Sequence, residues 1–110
     1  MENERRSARR ARVNLPARWE GVAARENATV TDISRNGCFV LSGGKVEVKE
    51  IVWLEIQLPD QPALHFWGEV VSEASEIGFA LRFNSGSTED EESLAKFLES
   101  VFQGKTPKKE

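Results

Sequence analysis

Apolar and polar residues alternate in short runs separated by turn-forming residues, and this period of two governs what the chain can become. In IVWLEIQLP, Val52, Leu54, Ile56 and Leu58 fall on one side, with Trp53, Glu55 and Gln57 on the other. Side chains along a strand point alternately to opposite faces, so such a run is a half-buried β-strand. The same pattern places Val13, Leu15, Ala17 and Trp19 on one face of an earlier run, with Asn14, Arg18 and Glu20 opposite and Pro16 suited to an edge or a strand beginning. TVTDIS, CFVLS, a weakly alternating KVEVKE, ALHFWGEVVSEA and EIGFALRF continue the series. In the last of these, Ile77, Phe79, Leu81 and Phe83 share a face. Asn36-Gly37 signals a hairpin, because both residue types tolerate positive φ.

Near the end the period changes. Leu94, Phe97, Leu98, Val101 and Phe102 recur at helical spacing and form one apolar stripe. Thr88 and Glu91 have the spacing of a capping box, Glu89, Asp90 and Glu92 suit a helix N-terminus, and Gly104 followed by Pro107 suits its end. About six short strands and one terminal helix predict an all-β fold, a small antiparallel six-stranded β-barrel with a C-terminal α-helix. Closing the sheet also removes exposed strand edges. The predicted organisation is a flexible basic arm over residues 1–12, a barrel domain with its helix over 13–103, and a disordered tail over 104–110.

A length of 110 residues allows one domain with a single core. No run of about 18 apolar residues occurs, so no membrane insertion is expected. The first residues are charged and lack an apolar segment, so no signal peptide is read there. Cys38 and His65 are the only residues of their kinds, which rules out an internal disulfide and leaves too few ligands for a zinc site. No nucleophile and base stand together in sequence, so neither an enzyme nor a cofactor is expected. These features favour the reducing cytoplasm. His65, Cys38 and the EDEE run read as structural, and Trp19, Trp53 and Trp67 as core or rim residues.

The charge is uneven. Five arginines, Arg5, Arg6, Arg9, Arg10 and Arg12, stand among the first twelve residues against Glu2 and Glu4, whereas the whole chain is net −3. An acidic body with a short basic arm does not suit DNA, which demands many phosphate contacts over a broad face. A compact anion fits better. The guanidinium fork grips phosphate oxygens bidentately and also pairs with the O6 and N7 edge of guanine. Some twenty residues on, DISRNG places Asp32 and Ser34 two apart, on one side of a strand with Ile33 towards the core. A carboxylate there accepts from guanine N1–H and N2–H₂, and Gly37 permits close backbone approach. Val30 shares parity with Asp32, so the inward side must change nearby, as at a bulge.

Taken in order, the arginine arm, a strand, Asp-x-Ser-x-x-Gly at a hairpin, further strands and a terminal helix resemble the PilZ domain family. Its motifs are Arg-x-x-x-Arg and Asp/Asn-x-Ser-x-x-Gly. RRSARR contains two matches to the first. Arg6 and Arg10 fit better, because Arg10-Ala-Arg-Val-Asn-Leu-Pro resembles the family's entry into its first strand, and Arg5 with Arg9 is the alternative register. Asp32, Ser34 and Gly37 match the second. The resemblance runs from about Arg5 to about Phe102. It implies a receptor for cyclic di-GMP, a bacterial second messenger with two guanines and two phosphates. Arg6 and Arg10 would clamp the ligand from the arm, and Asp32, Ser34 and Gly37 would line the barrel face. Arg5 would assist with a second copy, and Arg9 and Arg35 are weaker candidates. It also implies signalling through a downstream protein. Two alternatives remain at this point: a PilZ-like protein adaptor that does not bind nucleotide, and a small-barrel binder of single-stranded nucleic acid.

Overall fold

The structure, a computed structural model, describes residues 9–104. Six strands, β1 (Ala11–Glu20), β2 (Arg25–Ile33), β3 (Gly37–Leu41), β4 (Ile51–Ile56), β5 (Leu64–Ala74) and β6 (Gly78–Gly86), are followed by one helix, α1 (Thr88–Phe102). All strand pairs are antiparallel, and the order β1-β2-β3-β6-β5-β4 closes into a barrel where β4 meets β1. The fold expected from the alternation is the fold observed.

The alternation becomes the core directly. Leu15 and Trp19 of β1, Val52, Leu54 and Ile56 of β4, Phe66 and Val70 of β5, and Phe79 and Leu81 of β6 are buried inside the barrel. Side chains of this kind each contribute about 1.5–3 kcal/mol when removed from water. Trp19, the largest fully buried residue, meets Phe79 edge to face with ring centroids 5.1 Å apart. Its indole N–H donates to the buried Ser42 hydroxyl at 3.0 Å, so a polar atom taken into the core keeps a partner.

α1 packs against β5 and β1 and buries Leu94, Phe97 and Leu98, the centre of the expected stripe. Its N-cap is Ser87, one residue before the Thr88 expected from the sequence, and the Ser87 hydroxyl accepts from the Asp90 N–H at 3.0 Å. The Asp90 carboxylate is thereby turned towards the sheet, where it accepts from the His65 backbone N–H at 3.1 Å and ties the helix start to β5. Gly104 follows the helix with φ of 78°, the left-handed conformation that glycine adopts without a Cβ penalty.

Two local expectations are corrected. KVEVKE is a turn-bearing loop, not a strand. Lys49 has positive φ, and the Glu50 carboxylate accepts from the backbone N–H groups of Val22 and Glu47 at 2.7 and 2.9 Å, which curls the segment back on itself. Ile77 does not share the inner face of Phe79 and Leu81. It lies in the β5–β6 turn, where positive φ at Glu76 reverses the chain, and it is 55% exposed.

Candidate functional site

Arg10 immediately precedes β1, and Asp32 is the penultimate residue of β2. Because β1 and β2 run antiparallel with Arg12 opposite Asp32, the end of the arm and the second motif meet at one end of the barrel. There Arg10 Nη1 donates to Asp32 Oδ1, with the two side chains 59% and 32% exposed. Arg9 takes a different course. Its guanidinium stands over the Phe102 ring, 4.1 Å from the centroid, so of the two arginines it is Arg10 that faces the Asp-x-Ser-x-x-Gly stretch. Arg5 and Arg6 lie outside the described residues.

The parity problem at Asp32 resolves as a bulge. Val30 pairs with Val40 and Asp32 with Phe39, leaving Thr31 as an extra residue in β2. Val30 and Ile33 therefore both point inward, and Asp32 emerges at the surface.

Ser34 and Gly37 are placed differently from the expectation. Ser34 lies just past β2 and is only 3% exposed, so it forms no outer ledge with Asp32. Its N–H donates to the Gly37 carbonyl at 2.8 Å, closing the hairpin, and its hydroxyl accepts from the Asn36 N–H at 3.1 Å. That side-chain bond makes the turn. Neither Asn36 nor Gly37 has positive φ, so the hairpin predicted at Asn36-Gly37 exists but is built by serine, not by left-handed backbone. Gly37 instead allows β3 to lie close on β6. A Cβ there would stand 2.1 Å from the Leu81 carbonyl oxygen. The hairpin is further pinned by the Phe83 N–H, which donates to the Asn36 carbonyl at 2.7 Å. Arg35, at the hairpin tip, is exposed and borders a cleft of about 440 Å³ between the hairpin and α1.

Beneath the site, Cys38 pairs with Ile33 and is fully buried. Burial pushes its thiol well above the ordinary range, the Asp32 charge pushes it further, and Arg10 opposes the shift. A thiol held neutral this way packs as an apolar group and is no nucleophile.

One charged neighbour escaped the sequence reading. Arg12 stands opposite Asp32, exposed, on a groove of about 660 Å³ that Asn14 and Thr31 also line. The signal was present in the sequence: Arg10, Arg12 and Asn14 share strand parity. It is obscured because the arginine-rich composition extends the arm to residue 12, whereas β1 begins at Ala11.

A closed antiparallel barrel, an arginine-bearing entry into its first strand and a carboxylate set out by a bulge beside the β2–β3 hairpin together define a small-barrel domain with a polar site at one end. The chain belongs to the PilZ domain family, whose model matches residues 4–100, a family of cyclic di-GMP receptor and adaptor domains. Its fold is similar to that of the Bacillus subtilis inhibitor of motility MotI/DgrA, with a TM-score of 0.78 at 19% identity over 93% of this chain and 53% of that one. It is also similar to the PilZ domain of CeSA from a cellulose-synthesizing bacterium, with a TM-score of 0.66 at 13% identity over 86% of this chain and 99% of that one. Likeness at such identities shows the fold, and the chain spans about half the length of the MotI/DgrA chain. No curated protein matches the sequence. Among the described residues no helix is long and apolar enough to cross a membrane.

Proposed function

We propose that this protein is a cytoplasmic cyclic di-GMP receptor without catalytic activity, which clamps the dinucleotide between its arginine arm and the Asp32 end of the barrel and signals to a partner protein. The observation that carries this reading is the meeting of Arg10 with Asp32, one residue from each family motif, 22 positions apart in the chain. The pair is exposed, and ion pairs of that kind are worth about 0–1 kcal/mol. A ligand with two phosphates and two guanines offers Arg10 and Asp32 better partners than each other, so the pair yields at small cost. Arg6, four residues before Arg10, completes the clamp from the arm, with Arg5 beside it for a second copy of the ligand. Ser34 and Gly37 act by holding the hairpin that presents Asp32.

The contact of Arg9 with Phe102 supports a route for output. An arm drawn towards the ligand disturbs the last turn of α1, so occupancy of the site changes the surface offered to a partner. The similar fold of the inhibitor of motility MotI/DgrA supports a regulatory role of this kind.

Calorimetric titration of cyclic di-GMP into the wild type, Arg6→Ala and Arg10→Ala tests the clamp. Losing a charge-assisted hydrogen bond costs about 1.5–3 kcal/mol, roughly ten- to 150-fold in affinity, with circular dichroism unchanged. Wild-type affinity in both variants would refute it.

The adaptor reading without nucleotide has one observation in its favour. Trp53 and Trp67 pack together on the outer face of β4 and β5 with centroids 5.0 Å apart, and Trp67 is 47% exposed. Exposed tryptophans of this kind anchor protein interfaces. Failure to bind cyclic di-GMP together with a partner lost on Trp67→Ala would favour that reading.

A further inference from the structure

Two tryptophans sit where an antiparallel barrel ordinarily turns polar residues to water. Trp53 and Trp67 are cross-strand partners at outward positions of β4 and β5. The core on the inner side of these strands is filled without them, by Val52, Leu54, Phe66 and Val70. Trp53 is braced: its ring packs against Trp67 with centroids 5.0 Å apart and stacks on His65 at 5.4 Å. Trp67 stands clearer of its surroundings. Its neighbour on β6 is the small Ser85, and 47% of its surface meets water. A rigid aromatic held out from a sheet is the usual anchor of a protein interface.

The same rung of the sheet holds a matching hollow. Glu20 of β1 pairs with Trp53 from the other side, so β4 runs midway between Trp67 on β5 and Glu20 on β1. Around Glu20 lies a hollow of about 430 Å³, lined also by Arg18, Arg25, Asn27, Trp53 and Glu55. This lining suits an indole, because guanidinium groups stack on aromatic faces and a carboxylate accepts from the indole N–H. Charge narrows the choice of occupant. The chain is net −3, so two copies repel over much of their surface. On this face guanidiniums answer the carboxylates: Arg18 lies 3.6 Å from Glu55, Arg25 3.9 Å from Glu20 and Arg82 2.6 Å from Glu69. A face balanced in this way does not oppose its own copy. It also offers no surplus of positive charge to the phosphates of a nucleic acid.

We propose that the chain pairs with a second copy of itself across the outer face of β4 and β5, Trp67 of each copy entering the hollow of the other. A two-fold axis along β4 at Trp53 achieves this in one operation. It lays β5 of each copy over β1 of the other, so that knob meets hollow twice and the two Trp53 rings meet at the axis. Isologous contacts of this kind are the commonest way in which identical chains associate. The outside of a barrel is convex, so the contact is small and the complex weak and rapidly exchanging. The pairing goes beyond the cyclic di-GMP reading and does not depend on it.

Sedimentation velocity of the full chain over a range of concentrations tests the pairing. The variants are Trp67→Ala, which removes the knob, and Asn27→Trp, which fills the hollow from an exposed position. Ile77→Ser is the control, since Ile77 is an exposed apolar residue in the β5–β6 turn, away from this face. The wild type is expected to approach twice the chain mass at high micromolar concentration. Trp67→Ala and Asn27→Trp should each weaken pairing roughly 30-fold or more, and Ile77→Ser should change nothing. An equal mixture of Trp67→Ala and Asn27→Trp should pair better than either alone, because one intact hollow then meets one intact Trp67. Circular dichroism confirms that each variant folds. A wild type that stays monomeric up to about 1 mM would overturn the inference and leave Trp67 to another protein. Pairing that survives Trp67→Ala would place the contact elsewhere and overturn it too. Pairing seen only with cyclic di-GMP would make the ligand the bridge in place of the tryptophan. Loss in both variants with no gain on mixing would remove the knob-and-hollow arrangement.

Discussion

A methyl group added at Gly37 would stand 2.1 Å from the Leu81 carbonyl oxygen. That atom is backbone in the middle of β6, so nothing flexible can move aside. Gly37→Ala is therefore expected to destabilise the fold by about 1–3 kcal/mol, the usual cost of overpacking, read as a lower urea midpoint. The sequence suggests Gly37 as a position of close approach on the ligand face, whereas the approach seen in the structure is that of the β6 backbone, more than forty residues away in the chain. Ser34 teaches the same lesson. Its spacing from Asp32 suggests a shared face, yet the bulge at Thr31 shifts the alternation and the strand ends at Ile33, so one hydroxyl goes inward to cap the hairpin and one carboxylate goes out. The outward course of Asp32 was legible, because the shared parity of Val30 and Asp32 already called for a change of inward side nearby.

At the scale of elements, strands and helix were readable because each carries its own period. Their ends were less so. Ser87 and Thr88 are chemically alike as caps, and only the backbone shows which one has extended φ and ψ while its side chain reaches the Asp90 N–H. Ser87→Ala is expected to cost about 1 kcal/mol and Thr88→Ala no more than a few tenths, measured as the difference in unfolding free energy of the two variants. Loss of the Ser87 cap should also loosen Asp90 from the His65 N–H, so hydrogen exchange at His65 should quicken in Ser87→Ala and not in Thr88→Ala. The loop through Val46 and Val48 misled because alternation in a short window also arises in a curled segment. There a single carboxylate, Glu50, holds the backbone N–H of Glu47 in the loop itself and that of Val22 in the β1–β2 turn.

Considered whole, the molecule is a closed cylinder, and the end where Arg10 meets Asp32 gathers the start of β1, the end of β2, the β2–β3 hairpin and the last turn of α1. Binding that engages several of these at once must stabilise all of them. With cyclic di-GMP at about 100 times its dissociation constant, mass action adds about 2.7 kcal/mol, which for a domain this size raises the melting temperature by about 10 °C. Arg10→Ala at the same ligand concentration should lose most of that rise, and scanning calorimetry checks both. The sequence by itself determined the strand and helix periods, the uneven charge and the two short motifs, because these are properties of residues near one another in the chain. Only the tertiary structure decided which arginine reaches Asp32, that Ser34 turns inward, and that a bulge at Thr31 leaves Arg12 and Asp32 facing an open groove. Those outcomes depend on register between strands, and register is set by how a whole barrel closes around its core.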